Sequence, residues 1–97
     1  MSKASVYRPA TDVVIRRVGE ESVLVPVRNR VGDLDSVFTL NEVASRVWEL
    51  LDGQRPMDSI VDAVCDEYEV GRDVAHADLQ ELIQTLEEAH LVQRVEE

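Results

Sequence analysis

Apolar residues recur at about every second position up to residue 40 and at every third or fourth position beyond it, and the pattern switches only once. A period of two buries one face of a strand, whereas a period near 3.6 buries one stripe of a helix. The chain is therefore expected to be α+β, with its strands first and its helices after them. Ninety-seven residues, 44% of them apolar, suffice for one modest core, so the sequence reads as a single domain over 1–97 with its organised part at about 10–94. The same size argues against a conventional enzyme, because walling off a pocket of roughly 300–1,000 Å³ takes more chain.

Before the switch, the β-branched run Val13–Val14–Ile15 within Asp12–Val18 predicts a strand, and Gly19–Glu20–Glu21–Ser22 predicts a turn. Ser22–Arg28 then alternates, with Val23, Val25 and Val27 on one face and Leu24, Pro26 and Arg28 on the other. Pro26 has no N–H to give, so that end of the strand is expected at an edge, a bulge or the last pair of a sheet. A polar connection, Asn29–Asp35, leads to a short third strand, Ser36–Leu40. After the switch, Asn41 is a candidate N-cap, and Ala44, Val47, Trp48 and Leu51 form a stripe that Gly53 ends. A second helix is expected from about Met57 to Glu69, entered at Pro56, with Ile60, Val61, Val64, Cys65 and Tyr68 on one side. Gly71 breaks it and Asp73 caps a third helix, whose stripe is Ala75, Leu79, Leu82, Leu86 and His90, flanked by Ile83. Leu91–Val95 can finish as a short strand. A three-stranded antiparallel sheet followed by three helices is winged helix-turn-helix-like.

Charge narrows the possible partners. The net charge is −10, and it is lopsided: residues 1–40 carry six Lys or Arg against five Asp or Glu, whereas residues 41–97 carry four against fifteen. Lys and Arg supply most of the affinity for phosphate backbones, so nucleic acid is an unexpected partner. These carboxylates read as a solvated helical surface or as an attraction for a basic partner. Apolar runs such as Val13–Val14–Ile15 are far shorter than the ~20 residues needed to cross a bilayer, and no membrane association is expected. A single cysteine and an amino terminus (Met1–Ser5) without an apolar run give the expectation of a cytoplasmic protein.

No constellation of catalytic or metal-ligating residues is visible. Cys65, His76 and His90 match no ligand spacing; Cys65 reads as core, His90 as a helix-end residue and His76 as a solvated surface residue. The four glycines stand singly at turns, so there is no phosphate loop, and the adjacent pairs Asp66–Glu67 and Glu87–Glu88 diverge on a helix rather than forming an acid/base dyad. Neither a metal nor a cofactor is expected. Trp48 and Tyr68 read as core aromatics; Phe38 reads equally as core or as part of a binding edge.

The run Leu40–Asn41–Glu42–Val43–Ala44–Ser45–Arg46–Val47–Trp48–Glu49–Leu50–Leu51–Asp52–Gly53 resembles the signature of the family of pyrroloquinoline quinone synthesis protein D. The likeness continues through Ile60–Val64, Glu67–Val70, Asp78–Leu79 and Leu91–Val92. The resemblance implies a winged-helix-like, non-catalytic recognition element. Such elements bind the leader of a ribosomally made precursor peptide and present it to a modifying enzyme, often a radical enzyme that uses S-adenosylmethionine. Two departures stand out: the connection Asn29–Asp35 is longer and more acidic than the expected tight turn, and Pro56 stands where a capping Ser or Thr is common. The LNEV version of the signature also suggests a modified peptide other than the quinone. Carried over by position, the peptide-binding groove falls on Ser36, Val37, Phe38 and Thr39 and on one flank of the third helix. There Leu79, Leu82 and Leu86 lie along the centre of the stripe while Asp78, Ile83 and Thr85 lie toward its flanks. Which flank faces the groove is open.

The expected function is thus peptide capture by strand addition to the third strand. A DNA-binding regulator of the same topology is the chief rival, disfavoured because residues 72–90 hold one Arg and five acidic residues. A structural subunit of a larger complex is a third reading.

Overall fold

The computed structural model describes residues 5–27 and 37–95. In chain order the elements are β1 (Tyr7–Pro9), β2 (Val13–Val18), β3 (Glu21–Pro26), β4 (Phe38–Leu40), α1 (Glu42–Leu50), α2 (Met57–Tyr68), α3 (Arg72–Glu88) and β5 (Val92–Arg94). The anticipated three-stranded antiparallel sheet is β2-β3-β4, followed by the three anticipated helices. The third strand is shorter than expected: Val37 precedes it, and Ser36 and the whole connection Asn29–Asp35 lie outside the described residues.

The sheet's register follows from its tightest turn. Gly19, at φ +64°, and Glu20 join β2 to β3, and a two-residue turn with a left-handed first position pairs its flanking residues, Val18 and Glu21, by hydrogen bonds. The Val27 N–H donates to the Asp12 carbonyl at 2.6 Å, which has the same parity. Hydrogen-bonded and non-hydrogen-bonded pairs alternate in antiparallel ladders, so Ser22 and Leu24 turn their backbone groups toward β4, opposite Leu40 and Phe38. Thr39, opposite Val23, therefore points its N–H and C=O away from β3, out of the sheet. Pro26 falls just beyond the last β3–β4 pair, where its missing donor costs nothing.

Leu24 and Leu40 are fully buried beneath the helices, so the Leu24 side of β3 is the inner face and the valine side is the outer one. The core is otherwise helical, built from Val47, Trp48, Leu50 and Leu51, from Met57, Ile60, Val61 and Val64, and from Ala75, Leu79, Ile83 and Leu86. Asn41 caps α1 as anticipated, its side chain accepting the Ala44 N–H at 2.8 Å. As anticipated, α2 is entered at Pro56, which offers no side-chain cap. Three details depart from the sequence expectation. The left-handed residue after α2 is Glu69, at φ 52°, and Gly71 instead occupies the N-cap position of α3, so Asp73 sits inside the first turn, where its charge still favours the helix dipole. On α3, Ile83 rather than Leu82 belongs to the core stripe. His76 is half-buried rather than solvated, with Nε2 lacking a hydrogen-bond partner.

The two-stranded sheet β1-β5 joins the ends of the described chain. Tyr7 pairs with Arg94, Arg8 with Gln93 and Pro9 with Val92. Gly53, at φ +78°, donates its N–H to the Tyr7 carbonyl, and Met57 donates to the Ser5 carbonyl, so β1 also anchors the α1–α2 connection. No helix is long and apolar enough to cross a membrane among the described residues.

Candidate functional site

An open groove of about 490 Å³ runs between β4, the start of α1 and α3. It reaches several hundred Å³ in a small chain because it is not walled off: Asn41, Asp78, Glu81 and Thr85 form exposed lips. Its floor is apolar, made by Val43, Ala44 and Val47 of α1, Val64 of α2 and Ala75, Leu79 and Leu82 of α3, with Val70 at one end. Phe38 is half-buried: it packs against the core and also lines the groove.

Five of the ten expected site residues line this groove: Phe38, Asp78, Leu79, Leu82 and Thr85. Val37 and Thr39 are exposed at the adjoining edge, and Ser36 is outside the described residues. Ile83 and Leu86 do not reach the groove; at 1% and 0% exposure they are core residues, because α3 packs on α2 and β5 through that side. The flank of α3 that faces the groove is therefore the one carrying Asp78, Leu82 and Thr85, spaced i, i+4, i+7. Asn41, Val43, Ala44, Val47, Val64, Val70, Ala75 and Glu81 are lining residues that the sequence did not assign to the site. Ala44 and Ala75 held a signal: small side chains within stripes of larger ones leave space where two helices face each other.

Three of the arginines in the helical half are held away from the groove. Arg46 makes a bidentate pair with Glu67 at 2.9 and 3.1 Å, and Arg72 bonds to Asp58 at 2.6 Å and also to Asp62. Arg55 pairs with Asp52 at 3.3 Å. No Lys or Arg lines the groove among the described residues, and its two carboxylates, Asp78 and Glu81, have no cationic partner there. Near the sheet end, Glu20 in the β2–β3 turn lies close enough to Glu42 to raise the Glu42 carboxyl from its usual value by charge repulsion. Among the described residues no three His, Cys, Asp or Glu side chains are grouped to hold a metal ion. Cys65 is half-buried against the core. The arrangement offers an unpaired strand edge beside an apolar trough with an acidic lip.

No curated protein sequence matches significantly. Among solved structures, TbiB1 in complex with the TbiA(β) leader peptide superposes with a TM-score of 0.75 at 29% sequence identity, covering 93% of this chain and 99% of that one. Residues 21–92 match the family described as coenzyme PQQ synthesis protein D, a span that includes β3, β4, all three helices and the groove between them, and the chain belongs to that family.

Proposed function

We propose that the chain is a recognition element for the leader region of a ribosomally synthesised precursor peptide, which it binds as an added strand on β4 and presents to a modifying enzyme. The observation that carries this reading is the outward-pointing backbone of Thr39 on a strand edge that borders an apolar groove. Main-chain hydrogen bonds along such an edge give affinity without a deep pocket, and alternate peptide side chains enter the groove to give specificity. The likeness to TbiB1, solved with a leader peptide, supports the same reading. Val37 would extend the pairing edge, and Phe38, Asp78, Leu79, Leu82 and Thr85 would meet the peptide's inward side chains. The protein itself performs no chemistry in this scheme; the reaction belongs to the enzyme it serves, such as one using S-adenosylmethionine radicals.

Nothing favours DNA binding: α3, the helix that would enter a groove of the duplex, presents Asp78 and Glu81 where phosphate neutralisation requires Lys or Arg. The test is an amide-resolved NMR titration with a synthetic leader peptide of any short precursor found encoded next to a modifying enzyme in the same genome. Shifts are expected at residues 37–41 and along 75–85. Shifts clustered on β2, β1 or β5 would overturn the proposal.

A further inference from the structure

The groove's lip says more about its ligand than its floor does. Asp78 and Glu81 stand one helical turn apart on α3 and are exposed, and they border an apolar trough in which no cation is placed among the described residues. Arg46 and Arg72 are each bound to α2 carboxylates. A peptide strand on β4 rises about 3.3 Å per residue, so its side chains facing α3 recur about every 7 Å and belong to alternate residues. A side chain over Val47, Leu79 and Leu82 and the next one on the same side of the peptide are thus two residues apart.

We propose that the groove selects extended segments in which a Lys or Arg stands two residues from a large apolar residue, the apolar side chain filling the trough and the cation reaching Asp78 and Glu81. The inference rests on the strand-addition reading and adds the chemistry of the peptide. A cation there gains from two carboxylates beside an apolar wall, where screening by water is weaker than on open surface. An acidic residue at the same position would meet like charge. The helical half, with its excess of acid, would also draw a basic segment in, so charge should act on the association rate as well as on residence.

The experiment is selection from a random short-peptide display library on the whole protein and on the Asp78→Asn/Glu81→Gln variant, followed by affinity measurement of the enriched peptides. With the unaltered protein the enriched set should carry the apolar residue and a Lys or Arg two positions away. Replacing that cation by Gln should weaken binding by about 3–10-fold at physiological salt, with a smaller loss on the double variant. Enriched peptides that keep the apolar residue, compete at the groove and show no basic preference would overturn this inference and leave the strand-addition reading standing. Enriched peptides indifferent to Thr39→Pro would overturn the strand-addition reading itself. A cation preference that survives unchanged in the double variant would place its partner elsewhere and also refute the assignment to Asp78 and Glu81.

Discussion

The sheet has two outer strands, and they meet solvent differently. β2 is six residues long, with Val14, Arg16, Arg17 and Val18 exposed, and its Arg17 reaches across to Glu49 of α1 at 3.5 Å. β4 is only three residues long and lies against a groove that α1 and α3 complete. Both present unpaired backbone groups, so hydrogen-bonding capacity alone does not distinguish them. What differs is the backing: a peptide added to β4 can place alternate side chains in a trough, whereas one added to β2 would meet two consecutive arginines. Charged residues on an exposed edge are a common guard against unwanted pairing. An edge becomes a binding site where apolar surface lies beside it.

The contrast is most sharply broken by stability. Leu24 and Ile15 are directly opposite each other on the same face, yet Leu24 is 0% exposed and Ile15 is 38% exposed. Leu24→Ala should cost about 2–5 kcal/mol in urea or thermal unfolding, and Ile15→Ala about 1 kcal/mol or less. Equal losses would mean that β2 is as firmly packed as the centre of the sheet. Binding gives the next largest effect. Thr39→Pro removes an outward N–H and should weaken leader binding by about 10–100-fold, while Arg17→Pro, at an outward position of β2, should leave the affinity unchanged. Val37→Pro tests the same parity next to β4, and unchanged unfolding midpoints separate lost binding from lost fold. If both edges respond alike, the groove does not choose between them.

Two smaller effects sharpen the comparison. Asn41 caps the helix that begins as β4 ends, so Asn41→Ala should cost about 1 kcal/mol of stability, with the loss confined to elements around the groove in amide exchange. The smallest effect concerns how the β2–β3 turn sits against α1. Glu20 raises the Glu42 carboxyl, which means that the folded state binds this proton more readily than the unfolded chain does. That repulsion weakens the fold once pH rises through and above the carboxylate range, and it is relieved as pH falls. Glu20→Gln should therefore stabilise the protein slightly at neutral pH and make no difference in acid, which parallel melts at the two pH values would reveal. A pH-independent effect would place the turn farther from α1.

Periodicity made the order of elements legible. The Val13–Ile15 run, the alternation from Ser22, the cap at Asn41 and the stripes of α1 and α2 follow from residues close in the chain, and local spacing is what sets them. The glycine turn at Gly19 even fixes which residues of β3 bond to β2, and through them which atoms of β4 face outward. Other choices depend on partners remote in sequence. A period of two states that β3 has two faces, but the helices decide that Leu24 and not Val23 is inside. The stripe on α3 is wide enough to include both Leu82 and Ile83, and only its docking on α2 and β5 buries Ile83 and leaves Leu82 to the groove. β1 is three residues with a proline at its end, too short to carry a pattern; it is a strand because β5 comes to lie beside it. The groove is likewise a product of assembly: Ala44, Val64 and Ala75 lie on three different helices, and the space they share exists only once those helices pack.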